Sequence, residues 1–369
     1  VPDILFVTLD GGGNLPLTLR IGRELRCRGH RVRVLAHEAL RITVDNAGLE
    51  FRAYRNSPAW TPHEIHGMWK LVTRMLAVMT NPGIGQDLLD AVREDPADLV
   101  VIDCMLFNAL DAAARKGLRH AVLFPTFFGC LDEMLPRSPF GIGARIKGLE
   151  PHRLWRQADL ALVCSDRMLD PAGRRAHDGN LVWTGAVHDA KEPAVTRIPP
   201  IVLASLSTGG LPGQRRVLQN ILDAVAGLDV ELVMTTGPSV DPVGLHAPAN
   251  ATVHQYVPHN ELMPACSAVI GHGGHGTTFR ALAHGLPMLI LPMSPLTDQP
   301  TIGKTVAAAG AGRVLRKRAH PRRIRSALDE LLRAESYRAG AAALGARIRA
   351  TDGAAAAADQ LLTLIDREF

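Results

Sequence analysis

The stretch HGGHGTTFRALAHGLPMLILP, residues 272–292, sets Gly273, Gly274 and Gly276 between His272 and the Thr277–Thr278 pair, then runs through a short helical segment into an apolar strand. Glycines at this density let the chain turn tightly and bring bare N–H groups close to a ligand that side chains would hold off. A helix opening at Gly276, Thr277 and Thr278 and reaching His284 has first-turn amides without internal partners and a positive end, which together favour an anion. His272 and His275 also read as a surface pair at a turn, or as two metal ligands; an HxxH turn with no third ligand nearby is a poor metal site.

Outward from this stretch, short apolar runs of β character alternate with helix-length amphipathic segments: 4–9 (ILFVTL), 31–36 (RVRVLA), 98–103 (DLVVID), 120–125 (HAVLFP) and 160–165 (LALVCS). After a proline-containing passage at 189–200 the alternation resumes with 201–206 (IVLASL), 231–236 (ELVMTT), 268–272 (AVIGH) and 288–292 (MLILP). Continuous Val/Ile/Leu runs mark strands covered on both faces, so the pattern predicts an α/β protein of two doubly wound parallel-sheet domains. We place these at 1–190 and 200–352 with 189–200 as linker. The tail 353–369 is expected to be a helix that packs back on the N-terminal domain through Leu361, Leu362 and Ile365. Ligands of such folds collect at the carboxyl ends of the strands, so the function is sought in a cleft that the two sheets face.

Composition narrows the function classes. A chain of 369 residues, 47% apolar and 21% charged, is globular, and an aromatic content of 4% argues against base-stacking platforms. The net charge of +5 is spread along the chain except at 313–318 (RVLRKR) and 320–325 (HPRRIR), read as a solvated helix face and not as a nucleic-acid patch. Cys27, Cys104, Cys130, Cys164 and Cys266 are scattered and show no CxxC or metal-ligand spacing, which fits a reducing cytoplasm. No apolar run is long enough to span a bilayer.

Two further motifs bear on ligands. SLSTGG (205–210) follows a strand and offers the hydroxyls of Ser205, Ser207 and Thr208 with the unshielded amides of Gly209 and Gly210, a cradle for a second phosphate. DGGGNLP (10–16) follows the first strand; Gly11–Asn14 read as a close-approach loop at a helix N-terminus, with Gly13 and Asn14 toward the donor, or as a plain turn. Pro16 stands where a dinucleotide fingerprint needs its third glycine, and Glu38 is a poor second-strand carboxylate, which tells against an oxidoreductase. Asp298 and Gln299 suit the hydroxyls of a sugar, or a helix cap.

Residues 256–315, from YVPHNELMPACSAVIGHGGHGTTF to AAAGAGRVL, resemble the donor-site region of family 1 glycosyltransferases of the GT-B fold, particularly the actinobacterial enzymes that glycosylate antibiotics. The similarity continues more weakly through 24–38, 99–117 and 202–208. The resemblance implies that His272, Gly274, Gly276, Thr277 and Thr278 surround a diphosphate together with Ser207 and Thr208. It implies further that the base meets the backbone of Val257 beside Tyr256, and that Asp298 and Gln299 read the sugar. It implies no metal and no cofactor beyond the dTDP- or UDP-sugar co-substrate, and an inverting displacement by a lipophilic acceptor. The family's usual Gly-His-x-x-Pro after the first strand reads Gly12-Gly13-Asn14-Leu15-Pro16 here, so Gly13 stands at the place of the basic histidine. Asp103, matching the carboxylate that orients that histidine, becomes the candidate base, with Asp10 second and His63 or His66 behind them. Asp103 also reads as a cap for the helix starting near Leu106, and Asp10 as a brace for the glycine loop.

For the acceptor, Trp60, His63, Met68, Trp69, Met75 and Met79 (56–79), with Phe127 and Phe128, are candidate apolar walls or ordinary core. The lost histidine leaves a second reading open, a non-catalytic auxiliary of the same fold that activates a partner transferase. A homodimer is compatible with either.

Overall fold

The structure, a computed structural model, describes residues 1–62, 67–177, 179–195 and 197–367; His63 and His66 lie outside them, as does the side chain of Met68. The chain divides into two compact units. The first comprises Val1–Thr61, Trp69–Val187 and Asp352–Phe369, and the second is built on His188–Thr351.

Unit 1 holds seven strands: β1 (Asp3–Val7), β2 (Arg31–Ala36), β3 (Glu50–Ala53), β4 (Leu99–Asp103), β5 (His120–Phe124), β6 (Leu160–Val163) and β7 (Leu181–Trp183). They form one sheet in the order β3-β2-β1-β4-β5-β6-β7, with every pair parallel. Unit 2 holds six, β8 (Ile201–Ser205), β9 (Glu231–Thr235), β10 (Ala251–His254), β11 (Ala268–Gly271), β12 (Met288–Ile290) and β13 (Gly312–Val314). Their order is β10-β9-β8-β11-β12-β13, again all parallel. Parallel neighbours require a crossover, and helices supply it on both faces, which is why β4, β5, β6 and β8 are buried along their whole length. In each sheet the order reverses once, between β1 and β4 and between β8 and β11. At such a reversal the flanking connections leave toward opposite faces, and a crevice opens beyond the carboxyl ends of the two strands.

The passage at 189–200 does not hang free. Ala194 N–H donates to the His284 carbonyl, Val195 N–H to that of Pro264, and the His284 ring bonds to the Glu192 carbonyl, so the segment is strapped onto unit 2.

The C-terminal helix Gly353–Asp366 packs in unit 1 against the helix Leu15–Cys27. Asp352 caps it, its Oδ1 accepting from the amides of Ala354 and Ala355 at 3.0 and 3.1 Å. Gly353 crosses so close to the Gly185 and Ala186 carbonyls that a Cβ would lie 2.6 Å from either oxygen. The buried stripe runs Ala354, Ala357, Ala358, Leu361, Leu364, with Leu362 and Ile365 packed only at its margin. The expected face is therefore rotated: the 3.6-residue period started at Ala354 arrives at Leu361 and Leu364. Leu361 is 0% exposed. Leu361→Ala is expected to lower unfolding stability by about 2–5 kcal/mol, and Leu362→Ala by clearly less, as read from urea unfolding of the two variants side by side.

Candidate active site

In unit 1 the crevice between β1 and β4 is filled from within. Asp103, the last residue of β4, is 4% exposed. Its Oδ2 accepts from Asn14 Nδ2 at 2.7 Å and its Oδ1 from the Met105 amide at 3.0 Å. Burial pushes its carboxyl up to about 6, against the opposing pull of those two donors. Asp103 does not cap the following helix; Phe107–Lys116 starts after Leu106 with no side-chain cap.

Asn14 was expected to bind the donor; its side chain is spent on bonds within unit 1. Nδ2 also donates to the Leu9 carbonyl at 2.9 Å, and Oδ1 accepts from the Gly11 amide at 2.7 Å, so the buried amide group is committed inside the loop. The three glycines ahead of it differ in kind. A Cβ on Gly11 would stand 2.9 Å from Asn14 Oδ1, and Gly12 has φ +89°, whereas Gly13 lies outside the left-handed region and a Cβ there would meet nothing within 4 Å. Asp10 braces the same loop through Oδ1, which accepts from the Gly12 amide at 2.8 Å.

The expected acceptor wall is mostly structural. Trp60 is 5% exposed and its indole N–H donates to the Asp10 carbonyl at 2.7 Å, tying the loop down. Phe127 is core, and Trp69, on the helix Met68–Met79, is 76% exposed. Phe128 joins an edge-to-face cluster with Phe124, Trp155, His177 and Trp183 at centroid distances of 5.2, 6.1, 5.8 and 6.4 Å. Buried Asp170 fixes that cluster, accepting from the Phe128 amide at 2.8 Å and from Trp183 Nε1 at 3.0 Å. Trp155 Nε1 donates to the Cys104 carbonyl at 2.8 Å, which joins the cluster to the turn after Asp103. Sequence reasoning missed Trp155, Trp183, His177 and Asp170, which are far apart in the chain. It missed too the buried His37, whose Nε2 meets Ser57 Oγ at 3.0 Å.

In unit 2 the corresponding crevice, between β8 and β11, is lined by backbone. His272 follows β11, and a Cβ on residue 274 would lie 2.4 Å from its Nε2, so the imidazole rests across the Gly274 α-carbon. The ring's Nδ1 is sealed from solvent, and burial lowers the imidazole to about 4, partly offset by the Ser205 backbone. Gly273 has φ +84°, and a Cβ there would lie 2.9 Å from the Gln299 carbonyl. The helix His275–Ala283 makes its first internal bond from the Thr278 amide to the Gly274 carbonyl, at 3.0 Å, and Gly274 offers no side-chain cap. The Gly276 and Thr277 amides are thus left without partners inside the helix, Gly276 at an exposed position.

Two expectations on this helix need correcting. Thr278 is 0% exposed with its Oγ1 unpartnered in the interior, since 100° of rotation per residue carries it from the open face of Gly276 and Thr277 into the core. Its hydroxyl does not line a ligand surface. His275 is neither a surface residue nor a ligand: its buried ring stacks on Phe279 at 4.2 Å, and burial lowers it to about 3.

Ser207 and Thr208, just past β8, are half-buried; Ser207 Oγ accepts from the Gly209 amide at 3.1 Å. Gln214 Nε2 donates to the Ser207 carbonyl at 2.6 Å and Ser239 Oγ to that of Thr208, which fixes the loop. Tyr256 is exposed and Val257 half-buried, ahead of His259, whose Nε2 meets Thr235 Oγ1 at 3.2 Å. Asp298 stands at the start of the helix Gln299–Ala308 but makes no cap bond with its side chain. Gln299 is buried and its Oε1 accepts from the amides of Met293 and Ser294 at 2.7 and 3.2 Å; only the Nε2 side of this amide is left for a ligand. Lys317 Nζ donates to the Met293 carbonyl at 3.1 Å. Among the described residues no group of three or more His, Cys, Asp or Glu could hold a metal ion, and no helix is long and apolar enough to cross a membrane.

Two expectations follow from this geometry. Gly12→Ala must adopt a left-handed conformation and is expected to destabilise by about 1–2 kcal/mol, whereas Gly13→Ala is expected to be neutral or stabilising by up to about 1 kcal/mol; thermal unfolding of the pair decides. Secondly, burial lowers His37, His259 and His272 to about 4 and His275 to about 3. Unfolded histidines titrate at roughly 6.5, so the unfolded chain takes up protons first. The stability that these neutral rings contribute is complete above roughly pH 6.5 and is lost as pH falls toward 4, at up to about 1.4 kcal/mol per pH unit for each ring. Asp103, raised, works in the opposite sense as one group against four. The urea midpoint is expected to fall steeply between pH 6.5 and 4.5; a flat profile there would contradict the burial of these rings.

Residues 219–364 match the family model described as erythromycin biosynthesis protein CIII-like, C-terminal domain. The chain is 26% identical over 428 residues to 4'-demethylrebeccamycin synthase of Lentzea aerocolonigenes, with 98% of this chain and 99% of that one covered. It is 30% identical over 361 residues to aklavinone 7-beta-L-rhodosaminyltransferase of Streptomyces galilaeus, covering 81% of this chain and 80% of the other. Among solved structures, CalG4, the calicheamicin glycosyltransferase, matches in fold with a TM-score of 0.79 at 22% identity over 99% of this chain and 98% of that one. Two all-parallel sheets that reverse at the glycine loops, taken with these likenesses, settle the kinship: the chain is a glycosyltransferase of the GT-B fold and belongs to the natural-product branch of family 1, that of the actinobacterial antibiotic enzymes.

Proposed function

We propose that the enzyme moves a sugar from a dTDP- or UDP-sugar to a lipophilic natural product with inversion at the anomeric carbon and without a metal. The observation that carries this reading is the seat of His272 on Gly274 at the head of the helix His275–Ala283. The diphosphate meets the amides of Gly276 and Thr277, the Thr277 hydroxyl, the Ser207–Thr208 loop and an N–H of the neutral His272 ring. Amides already aimed at the departing oxygens need no reorganisation as charge develops, and the helix dipole adds to them. The nucleoside base meets the Val257 backbone beside Tyr256. Asp298 accepts from sugar hydroxyls, and Gln299 contributes through Nε2, its oxygen being held by the Met293–Ser294 turn.

Asp103 takes the acceptor's proton. The acceptor oxygen forms a bond to the anomeric carbon as the bond from that carbon to the phosphate oxygen breaks; the proton passes to the Asp103 carboxylate and the nucleoside diphosphate leaves. A carboxyl raised to about 6 is mostly ionised at neutral pH and basic enough to serve. Asp10 keeps the loop in shape.

A panel of dTDP- and UDP-sugars with aromatic and polyketide-like acceptors, run also in reverse from glycoside and TDP or UDP, tests the reading. Asp298→Ala is expected to abolish sugar exchange while TDP or UDP still binds by calorimetry. Asp103→Asn is expected to lower kcat by about a hundredfold or more on an alcohol acceptor. Near-normal turnover of Asp103→Asn would remove it as the base, and failure of TDP and UDP alike to bind would remove the donor assignment.

A further inference from the structure

We infer that Asn14 is the positioning residue for Asp103, holding its carboxylate from the glycine-loop side in a chain that has no side chain at position 13 to do so. The inference rests on the reading of Asp103 as base and adds to it the partner that makes this chain's arrangement work.

Asn14 stands at the start of the helix Leu15–Cys27, a place where an asparagine ordinarily accepts from the amides of the first turn. It makes no such bond. Its backbone carbonyl starts the helix by accepting from the Thr18 amide at 3.1 Å, while its side chain reaches back to Leu9 and Gly11 and across to Asp103. An amide group whose oxygen accepts from a backbone N–H has its orientation fixed, so Nδ2 must be the atom beside Asp103 Oδ2. Gly11 is part of the device, because a Cβ there would press on Asn14 Oδ1. From the other side the Met105 amide holds Oδ1. Two donors on two oxygens fix the plane of the carboxylate, and each oxygen keeps a lone pair for the incoming proton.

An amide side chain is not basic, so Asn14 takes no proton; it favours the ionised form of its neighbour. The titratable groups that Asp103 faces are the Tyr54 phenol and the Cys104 thiol, both buried, both raised, and both uncharged near neutral pH. Tyr54 is held by its hydroxyl, which donates to the Thr8 carbonyl at 2.9 Å. The Met105 amide and the Asn14 side chain favour its ionised form against burial.

The test is the pH profile of kcat/KM for the acceptor at saturating donor, for wild type, Asn14→Ala, Asn14→Asp and Asp103→Asn, each with its thermal unfolding midpoint. Wild type is expected to lose activity on an acid limb near pH 6. Asn14→Ala removes a donor to the carboxylate, so the limb is expected to move up by roughly one unit, with a plateau rate lower by about tenfold or more and little change in the KM for the sugar nucleotide. Asn14→Asp keeps the shape and the bond from the Gly11 amide but sets a second carboxyl against the first; its limb is expected to move further up, as two carboxyls share a proton. A folded Asn14→Ala and a folded Asn14→Asp that both keep the wild-type limb, while Asp103→Asn loses it, would overturn the role of Asn14 and leave Asp103 as base. An Asp103→Asn enzyme that retains rate and limb would overturn both.

Discussion

Residue 274 has no side chain, and the arrangement at the head of the helix His275–Ala283 follows from that. With a Cβ there, the His272 ring would have to leave its place, because the atom would lie 2.4 Å from Nε2. Lying on the glycine instead, the ring has its Nδ1 sealed and is kept neutral by burial. A neutral ring can hydrogen-bond but carries no fixed charge. The neighbouring Gly273 presses against the Gln299 carbonyl, and Gln299 Oε1 holds the amides of Met293 and Ser294. The loops after β11 and β12 are thereby braced against one another around the open amides of Gly276 and Thr277. Preorganised donors of this kind are what a leaving diphosphate needs.

Unit 1 uses the same topological place for the opposite chemistry. Its glycine run follows β1 at the point of reversal, as that of unit 2 follows β11, but Asn14 fills the loop from inside and no N–H is left facing outward from its side chain. What the reversal presents there is a carboxylate at the end of β4. On the proposed reading, unit 2 offers donors to negative oxygens and unit 1 an acceptor for a proton, the two provisions that a displacement with a weak nucleophile requires.

The sequence made the middle of each sheet readable and left its margins dark. All nine inner strands stand out as apolar runs, because helices cover both their faces; β3, β7, β10 and β13 do not, and these are the four edge strands. Their segments EFRA, LVW, ATVH and GRV are short and incompletely buried, and in all but LVW polar residues dilute the apolar signal. In the site, the glycine–histidine turn was legible because its logic is local: spacing alone puts imidazole, open amides and helix start together. The inward turn of Thr278 follows from helical rotation and was missed by treating adjacent threonines as equivalent. The bond from Asn14 to Asp103 spans 89 positions, and nothing in the composition of either segment announces it. The aromatic cluster around Phe128 was hidden for the same reason, since Trp155, His177 and Trp183 come from separate elements.

On the proposal that Asp103 is the base, the chain has lost the family motif's histidine at position 13 without losing the chemistry. A free imidazole titrates near 6.5 and a free aspartate near 3.9. An exposed aspartate in the histidine's role would thus be a weaker base by between two and three units. Burial at the end of β4 closes most of that gap, raising Asp103 to about 6, within a unit of the imidazole. Burial favours the neutral carboxyl, and the N–H groups of Met105 and Asn14 oppose it, so that the group settles at about 6. On that proposal the missing side chain changes reach more than proton affinity. With open space over Gly13, the proposed reaction brings the acceptor's hydroxyl down to the carboxylate, where an imidazole would have come up to meet it.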